Sequence, residues 1–418
     1  MSAGPVAIVG AGLAGLRCAG LLADNGLRSV IYEASDGVGG RARTDSVGDF
    51  RLDRGFQVLL TAYPEAQRAL DYGALGLGEF EPGAMVRMDE GFELFSDPLR
   101  RPRSTPAVLG SPVGTLADKL RLGWMRQDLV SGRPDRILAR PDRTARHALE
   151  GRGFSEGVIE RFFRPFFGGV FIDPDLETSS RLMEIFFRCF ASGSAALPSG
   201  GMGAMAEQLV ARLEPGTLHL EHRVAEVRPD GVRLEDGDWM DAAAVVVATE
   251  EREFCRLLGT EPPSDGRTTS SLYFDAPEED VSGRLLVLAP PGEGPVNELA
   301  VPSSVADGYA PRGRSLVSVS AIGDAAGQDD LLEAVTTQLG GWFGSQTVGR
   351  WRHLATRRVD HALPDFAPGR FEQGGLRPRL DSGIFVCGDH RESPSIQGAL
   401  VSGRKAAEAV GETIGRAG

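Results

Sequence analysis

Short apolar runs separated by polar segments recur along this chain, and four of them have the length of buried strands. They are Val6–Val9, Ser29–Tyr32, Ala243–Val247 and Ile384–Val386. An apolar run of four to eight residues between turn residues is consistent with a strand inside a sheet. An amphipathic pattern from Leu16 to Asn25 follows the first run, so this part is predicted to fold as strand, turn, helix and strand.

The stretches between these runs predict a mixture of strands and helices. A hairpin is expected where Met85–Met88 and Phe92–Phe95 flank Asp89-Glu90-Gly91. Pro98–Pro112, rich in proline and arginine, is predicted to be a loop. Other strands are predicted at Ser270–Phe274, Arg284–Leu288, Glu298–Val301 and Ser315–Ala321, and helices near 114–130, 144–150, 155–163, 178–191 and 329–343.

The turn after the first predicted strand carries a G-x-G-x-x-G pattern formed by Gly10, Gly12 and Gly15. Gly10 permits a tight turn, Gly12 lets a pyrophosphate approach the amides of the helix N-terminus, and Gly15 permits close packing of helix on strand. Glu33 ends the second strand, where an acid can accept hydrogen bonds from ribose hydroxyls. Together these features predict a dinucleotide-binding site.

Composition narrows the possible partners and the location of the protein. A formal net charge of −13 over 418 residues argues against nucleic acid. The four cysteines show no C-x-x-C spacing, and His219 and His222 would face opposite sides of a strand, so no metal site is expected. The first strand begins within about five residues of Met1, and no apolar run approaches the ~20 residues of a membrane helix. A cytoplasmic protein is therefore expected.

The segment after Glu33 indicates which dinucleotide is bound. Gly39-Gly40-Arg41-Ala42-Arg43-Thr44 resembles the G-G-R-x-x-[ST] loop of the amine oxidase, phytoene desaturase and protoporphyrinogen oxidase superfamily of FAD enzymes. In that superfamily the loop lies against the FAD pyrophosphate and ribityl chain. The resemblance implies that Gly39 and Gly40 permit close backbone approach and that Arg41 offers a guanidinium to the phosphates.

Further segments resemble the same superfamily in the same order along the chain. They are Asp53–Gln57, like the segment beside the flavin ring; Val224, in the strand that meets the adenine; Ala243–Thr249, the strand that returns to the cofactor sheet; and Ile384–Asp389 with Ser393–Gly403, the closing strand, turn and helix. The N-terminus of that helix would stabilise the negative charge of reduced flavin at N1 and the C2 carbonyl. No cysteine occupies the position that some relatives use for covalent attachment, so FAD is expected to be non-covalent.

The resemblance implies a set of FAD contacts spread over these motifs. They are Gly10, Gly12, Leu13, Ala14, Gly15, Glu33, Ala34, Gly39, Gly40, Arg41, Gly55, Phe56, Val224, Ala248, Gly388, Asp389, Ser395, Ile396, Gln397 and Ala399.

The implied fold class is α/β, with a Rossmann-like FAD-binding domain of the glutathione-reductase, amine-oxidase-like type and a discontinuous α+β substrate domain. The FAD-binding domain would comprise residues 1–75, 196–260 and 360–418, and the substrate-binding domain residues 76–195 and 261–359. No second nucleotide domain is predicted, because Gly201–Ala206 fits G-x-G-x-x-A without a preceding strand.

The substrate side of the flavin offers few polar candidates. Gln57 and His390 are the candidate catalytic residues, although each could instead be structural. Phe162–Phe171 is the densest aromatic run and lies next to a Gly-Gly pair, so some of its rings are predicted to line an apolar cavity while most belong to the core.

Two compositional features bear on the substrate. Only Lys119 and Lys405 occur, and neither can take the place of the lysine that many amine-oxidising relatives position near flavin N5. The stretch 100–146 carries eleven basic and four acidic residues with interleaved apolar ones. It is interpreted as a solvated helical surface or as a peripheral membrane contact through which a lipophilic substrate enters.

Three functions remain open at this point. The first is an FAD-dependent dehydrogenase, desaturase or oxidase that takes hydride from a small, largely apolar substrate such as an isoprenoid or polycyclic compound. The second is a flavin amine oxidase that cleaves a C–N bond, and the third is a flavin-binding protein without turnover. The substrate, the electron acceptor and the oligomeric state do not follow from the sequence.

Overall fold

The computed structural model of the chain describes residues 4–262, 266–370 and 376–415. The strands, in chain order, are β1 (Val6–Val9), β2 (Ser29–Tyr32), β3 (Thr44–Val47), β4 (Phe50–Asp53), β5 (Leu59–Leu60), β6 (Gly78–Glu79), β7 (Gly83–Met88), β8 (Gly91–Ser96), β9 (Ala195–Leu197), β10 (Leu218–His219), β11 (Val224–Arg228), β12 (Gly231–Leu234), β13 (Trp239–Asp241), β14 (Ala244–Val247), β15 (Arg267–Pro277), β16 (Leu286–Leu288), β17 (Glu298–Ala300), β18 (Arg314–Ile322), β19 (Arg352–Leu363) and β20 (Phe385–Val386). The α-helices are α1 (Leu13–Asp24), α2 (Pro64–Ala69), α3 (Tyr72–Leu75), α4 (Thr105–Gly110), α5 (Leu116–Ser131), α6 (Pro134–Leu138), α7 (Ala145–Gly151), α8 (Glu156–Val158), α9 (Arg164–Phe171), α10 (Ser180–Ser192), α11 (Ala204–Val210), α12 (Glu251–Leu258), α13 (Pro302–Val305), α14 (Leu331–Phe343), α15 (Ser345–Val348) and α16 (Ile396–Gly415).

A five-stranded parallel sheet in the order β10-β2-β1-β14-β20 carries the predicted dinucleotide motif. Strands β1 and β14 are buried along their whole length, as expected where both faces of a parallel sheet are covered. Val6 and Ile8 pack in the cluster that holds α1 and α16, whereas Ala7 and Val9 pack toward the antiparallel sheet of β11, β12 and β13. This arrangement confirms the Rossmann-like, two-sided layering implied by the sequence.

The second large sheet is mixed and has seven strands in the order β19-β15-β18-β17-β16-β7-β8. Alternation along its strands separates two faces. Leu272, Leu299 and Val319 pack in a cluster that includes residues of α14, and this apolar core covers one face. The opposite face carries buried polar residues, among them Ser271 and Ser320. It turns toward the parallel sheet, because Tyr273 and Ala300 on this face pack in the cluster that contains Val6 and Ile8 of β1.

Most predicted elements of this second region exist, with one clear exception. The hairpin is β7 and β8, paired from Gly83↔Ser96 to Met88↔Gly91. The segment Pro98–Pro112, predicted as a loop, instead contains a 3₁₀ turn at Pro102–Ser104 and the helix α4. The prediction was wrong because Pro102 and Pro106 both lie in the first turn of a helical segment, where proline needs no amide hydrogen and its fixed φ suits the helix.

The predicted domain boundaries remain a prediction, but the strand pairing bears on one of them. Strand β19 runs from Arg352 to Leu363 and pairs with β15 from Asp275↔Arg352 to Arg267↔Leu363. The large sheet therefore continues past residue 360, where the FAD-binding segment was predicted to resume.

Candidate functional site

A cavity of about 930 Å³ runs from the carboxyl edge of the parallel sheet to the large mixed sheet and the helices beside it. The carboxyl edge of an open parallel sheet is where ligands of such folds bind. All residues that the sequence predicted as FAD contacts line this cavity except Gly15 and Gln397. Further lining residues not predicted from the sequence include Tyr32, Arg54, Arg223, Thr249 and Glu250.

The N-terminus of α1 forms an anion-binding corner of the cavity. Gly12 precedes the helix, no side chain caps it, and Leu13 and Ala14 of its first turn line the cavity. A Cβ placed on Gly12 would meet no atom within 4 Å, so the space above this residue is open to a phosphate. Gly15 lies behind the corner, where a Cβ would come within 2.1 Å of the Gly10 carbonyl. Its role is therefore close packing of α1 on β1.

Glu33 closes the adenosine end of the site with a fixed carboxylate. The Ala11 amide donates a hydrogen bond of 2.7 Å to Oε2, and the Ser35 amide and hydroxyl donate bonds of 2.9 and 2.7 Å to Oε1. These donors orient both oxygens toward the cavity and leave acceptor capacity for a ribose diol. Nearby, the Thr249 hydroxyl lines the cavity and has no hydrogen-bond partner within the described part of the chain, as a group that meets a ligand would.

Arg41 and Asp389 join two chain segments that the resemblance assigned separately to the cofactor. The Arg41 guanidinium donates a 2.6 Å bond to Asp389 Oδ1 and a 2.7 Å bond to the Ala362 carbonyl. Burial acts to lower the pKa of Arg41, but the Asp389 carboxylate outweighs it and the pKa is raised. Arg41 therefore stays charged beside the cavity, positioned for an anionic ligand.

The closing helix α16 points its N-terminus at the cavity. Ser395 lies at its start and accepts a 2.9 Å bond from the Gly398 amide, a capping interaction that fixes the first turn. Ser395, Ile396 and Ala399 line the cavity. Gln397 does not, because its side chain turns back to accept a 3.0 Å bond from the Glu65 amide. The dipole of this 20-residue helix places partial positive charge at the lining residues.

Asp53 anchors the segment that was predicted to lie beside the flavin ring. Its carboxylate accepts bonds of 2.7 Å from Tyr309, 2.5 Å from Thr44 and 2.9 Å from the Met202 amide. Burial raises the pKa of Asp53, whereas these hydrogen bonds act to lower it. The anchored segment then places Gly55 and Phe56 on the cavity wall.

The far end of the cavity is aromatic. The rings on its wall are Phe56, Phe80, Phe95, Phe162, Phe166, Phe186, Phe187 and Phe190. Within the run singled out from the sequence, Phe162 and Phe166 stack with centroids 5.5 Å apart and face the cavity. Phe163, Phe167 and Phe171 lie on the other side, in the core of the helical region. The run therefore divides between cavity wall and core, as predicted.

The sequence and the fold of this chain are similar to those of known proteins. A family model described as flavin containing amine oxidoreductase matches residues 13–263 and 274–411. This chain belongs to the flavin-containing amine oxidoreductase family. It is an FAD-dependent oxidoreductase. The contacts of the glycine corner, Glu33 and the α16 N-terminus with that cofactor remain a prediction.

Individual relatives of this family member span nearly the whole chain. It is 24% identical to the 15-cis-phytoene desaturase of Glycine max over 97% of this chain and 79% of that one. It is 25% identical to the coproporphyrinogen III oxidase of Propionibacterium freudenreichii subsp. freudenreichii over 88% of this chain and 82% of that one. Among solved structures, cyclohexylamine oxidase from Brevibacterium oxydans IH-35A matches with a TM-score of 0.72 at 18% identity, covering 99% of this chain and 100% of that one. That likeness establishes the shared fold.

The two candidate catalytic residues of this oxidoreductase occupy different places. Gln57 lines the cavity, but its amide nitrogen donates a 2.6 Å bond to the Arg41 carbonyl. His390 does not line the cavity; its ring lies 5.3 Å from that of Phe254. Burial lowers the pKa of His390 to about 4, so the imidazole is neutral at pH 7. Its place outside the cavity lining does not favour a catalytic role, which stays a prediction.

The prediction that His219 and His222 face opposite sides of a strand was wrong, since their ring centroids are 5.5 Å apart. Strand β10 ends at His219, and Glu221, with φ of 58°, turns the chain. In the described ranges no group of three histidine, cysteine or acidic residues could hold a metal ion.

Sequence reasoning missed Glu298. It was predicted only as the first residue of a strand, yet its carboxyl group is buried and lines the aromatic end of the cavity. The available signal was a glutamate that opens the apolar run Leu299-Ala300-Val301.

Proposed function

We propose that this oxidoreductase dehydrogenates a small, largely apolar substrate, of the isoprenoid or polycyclic kind, by hydride transfer to the flavin. The observation that carries the proposal is the continuity of the FAD groove with an aromatic cavity in one space. Burial of a hydrocarbon in such a cavity contributes ~25 cal/mol per Å² of apolar surface. The similarity to a 15-cis-phytoene desaturase supports an isoprenoid substrate, and the similarity to a coproporphyrinogen III oxidase supports a polycyclic one.

The chain's own residues would bind, orient and exclude water. When bound, FAD supplies the acceptor of two electrons and one hydrogen. The Phe162 and Phe166 rings and their neighbours would hold the substrate in one orientation, so that much of the rate enhancement comes from positioning. The α16 N-terminus would stabilise negative charge that develops at the end of the flavin facing Ser395 and Ile396.

The experiment is anaerobic bleaching of the flavin in the purified holoprotein. A panel of terpenoids, carotenoid precursors and porphyrinogens is compared with a panel of primary amines of similar size. The proposal expects the visible absorbance of the oxidised flavin to fall with a member of the first panel. Bleaching by amines alone would overturn it.

A second candidate function, oxidation of an amine, is favoured by one observation. An ammonium substrate needs a carboxylate or an aromatic cage, and a cation such as Arg164 on the cavity wall would oppose its binding. Arg164 instead turns away to Glu160 and Asp175, and Glu298 contributes a carboxyl group to the cavity wall. The amine panel therefore tests a real alternative.

We also propose that the substrate enters from a lipid surface. Five exposed apolar side chains lie between residues 99 and 124, and we call them the collar: Leu99, Leu109, Leu116, Leu120 and Trp124. The first four also line the cavity, which joins this collar to the interior. A contiguous exposed apolar patch of this kind is typical of a binding surface.

Charge contributes less to this contact than the sequence suggested. Arg126 pairs with Asp97 at 2.7 Å, Arg140 with Glu184 at 2.6 Å, and Arg146 with Glu160 at 2.8 Å. The collar therefore supports the lipid contact mainly through its apolar side chains. No helix within the described ranges has the length and apolar character needed to cross a bilayer.

A further inference from the structure

Glu298 is a buried carboxyl group on the wall of the substrate cavity, at the first residue of β17. It pairs with Ser320 of β18, which in turn pairs with Ser271 of β15. Directly paired residues project their side chains from the same face of a sheet. These three side chains therefore belong to the polar face described above, which turns toward the parallel sheet.

The register places Glu298 close to the segment beside the flavin. The Ser271 hydroxyl accepts a 3.2 Å bond from the amide of Phe56, on the cavity wall. Neighbouring strands lie ~4.8 Å apart, so two strand spacings put Glu298 about 10 Å from that hydroxyl. A substrate that fills this interval touches both the carboxyl group and the flavin side of the cavity.

The local packing is built around the carboxyl group. Gly169 of α9 lies against it, and a Cβ at that position would come within 2.8 Å of Glu298 Oε2. The Asn297 amide nitrogen donates to the same oxygen and also donates a 2.9 Å bond to the Pro165 carbonyl, which ties α9 to β17. Gly169, the second glycine of the Gly-Gly pair in the aromatic run, thus leaves room for Glu298.

No cation compensates this carboxylate within the described ranges. Strand β17, which carries Glu298, packs against α9, β16 and β18. The charged residues of these three elements are Arg164 and Arg314. Arg164 is engaged by Glu160 and Asp175, and Arg314 by Asp275 at 2.6 Å. Burial raises the pKa of Glu298 to about 7, while hydrogen bonds from Asn297 and Ser320 act to lower it. Near neutral pH the group can hold or release a proton.

We propose that Glu298 is the catalytic base that accepts the proton released when the substrate is dehydrogenated. One substrate C–H bond breaks with its electron pair, which leaves as hydride to the bound flavin. A proton leaves the neighbouring atom to a Glu298 carboxylate oxygen, and the electrons of that second bond form the new double bond. The substrate is thereby oxidised by two electrons, the flavin is reduced, and Glu298 becomes a carboxylic acid. This inference rests on the proposed function, which supplies the substrate. Whether Glu298 holds a proton is tested separately.

The first test needs no substrate. Infrared spectra of the FAD-loaded wild type and of Glu298→Gln are recorded from pH 5 to pH 9 and subtracted. The difference is expected to contain a carboxylic acid C=O band at low pH that disappears through about pH 7, the pKa of this group. The control is Glu333→Gln, which changes an exposed glutamate on α14, beyond the far face of the sheet. The spectrum of this variant should still contain the band. Absence of the band from the wild-type minus Glu298→Gln difference overturns the proposal.

The second test follows the rate of anaerobic flavin reduction against pH, with whichever compound of the two panels bleaches the flavin. The wild-type rate should rise with pH and level off above the pKa, because the carboxylate is the reactive form. Glu298→Gln should lower the rate by roughly 10²-fold and abolish the rise, whereas Glu298→Asp should restore part of both. A Glu298→Gln profile that matches wild type overturns the proposal.

The two proposals fail in different ways. If only amines bleach the flavin, the apolar-substrate function is wrong, and the pH profile with an amine still decides the role of Glu298. If no compound bleaches it, the infrared difference alone decides whether Glu298 holds the proton.

Discussion

Glu33 carries the clearest residue-scale prediction for cofactor binding. Glu33→Gln removes the charge from an acceptor that three local donors hold in place. Loss of a hydrogen bond to a charged group costs ~1.5–3 kcal/mol, so the Kd for FAD should rise by roughly 10- to 150-fold. Equilibrium dialysis of FAD against the apoprotein measures this change. The exposed Glu333→Gln variant should bind as wild type, and an unchanged Kd for Glu33→Gln would contradict the adenosine assignment.

The residue scale also separates what the sequence could reveal from what it could not. Gly10, Gly12 and Glu33 were identifiable because each has a fixed place in a local strand–turn–helix unit. Glu298 was not, because its role depends on contacts with Gly169 and Ser320, which no local pattern encodes. Conversely, His390 follows a cofactor residue in the chain, yet tertiary packing turns its ring onto Phe254.

At the scale of elements, the helical segment Phe162–Phe171 places one set of rings on the cavity wall and another in the core of the helical region. The native Phe166 ring stacks with Phe162 on the cavity wall. Phe166→Asp would place a carboxylate there, and the cost of desolvating that charge should prevent binding of apolar ligands. The expected result is loss of the ligand-induced change in flavin absorbance while FAD stays bound. Phe166→Leu, which keeps the wall apolar, should retain much of the response.

Phe163 provides the matched comparison, because it is fully buried in the core rather than on the cavity wall. Phe163→Ala should lower the free energy of unfolding by about 3–5 kcal/mol, measured by denaturant titration. Phe166→Ala should lower it less and act mainly on ligand binding. Equal losses of stability in the two variants would contradict the division of the run into wall and core.

Element prediction succeeded where the pattern was local and regular, and failed where two signals conflicted. The β7–β8 hairpin follows from two apolar runs around a short polar turn. The helix α4 was missed because Pro102 and Pro106 indicate a loop unless their position in a first helical turn is known. The parallel pairing of β16 with β7, in which Leu286 pairs with Ala84, is set by the whole fold.

For the whole molecule, the apolar collar predicts association with lipid vesicles. The double variant Leu116→Glu with Trp124→Glu places two charges on the exposed face of α5 and should abolish most co-sedimentation with phosphatidylcholine vesicles. Leu332→Glu changes an exposed leucine on α14, away from the collar, and is the control. Equal sedimentation of all three proteins would exclude the collar as the contact.

The order of strands in the parallel sheet has a consequence for how the protein reaches its folded state. The sheet joins β1, near residue 6, to β14, near residue 245, and to β20, near residue 385. Contacts between such distant parts of a chain form late and slowly. The cavity predicted to bind FAD is built on these contacts. If FAD binds only the folded form, its binding shifts the folding equilibrium toward the folded state.

At a free FAD concentration 100 times Kd, this mass action adds about 2.7 kcal/mol to the free energy of unfolding. The melting temperature should therefore rise with FAD concentration in wild type, and the rise in Glu33→Gln should require a higher concentration. In this protein the redox cofactor would thus contribute to the stability of the sheet that binds it.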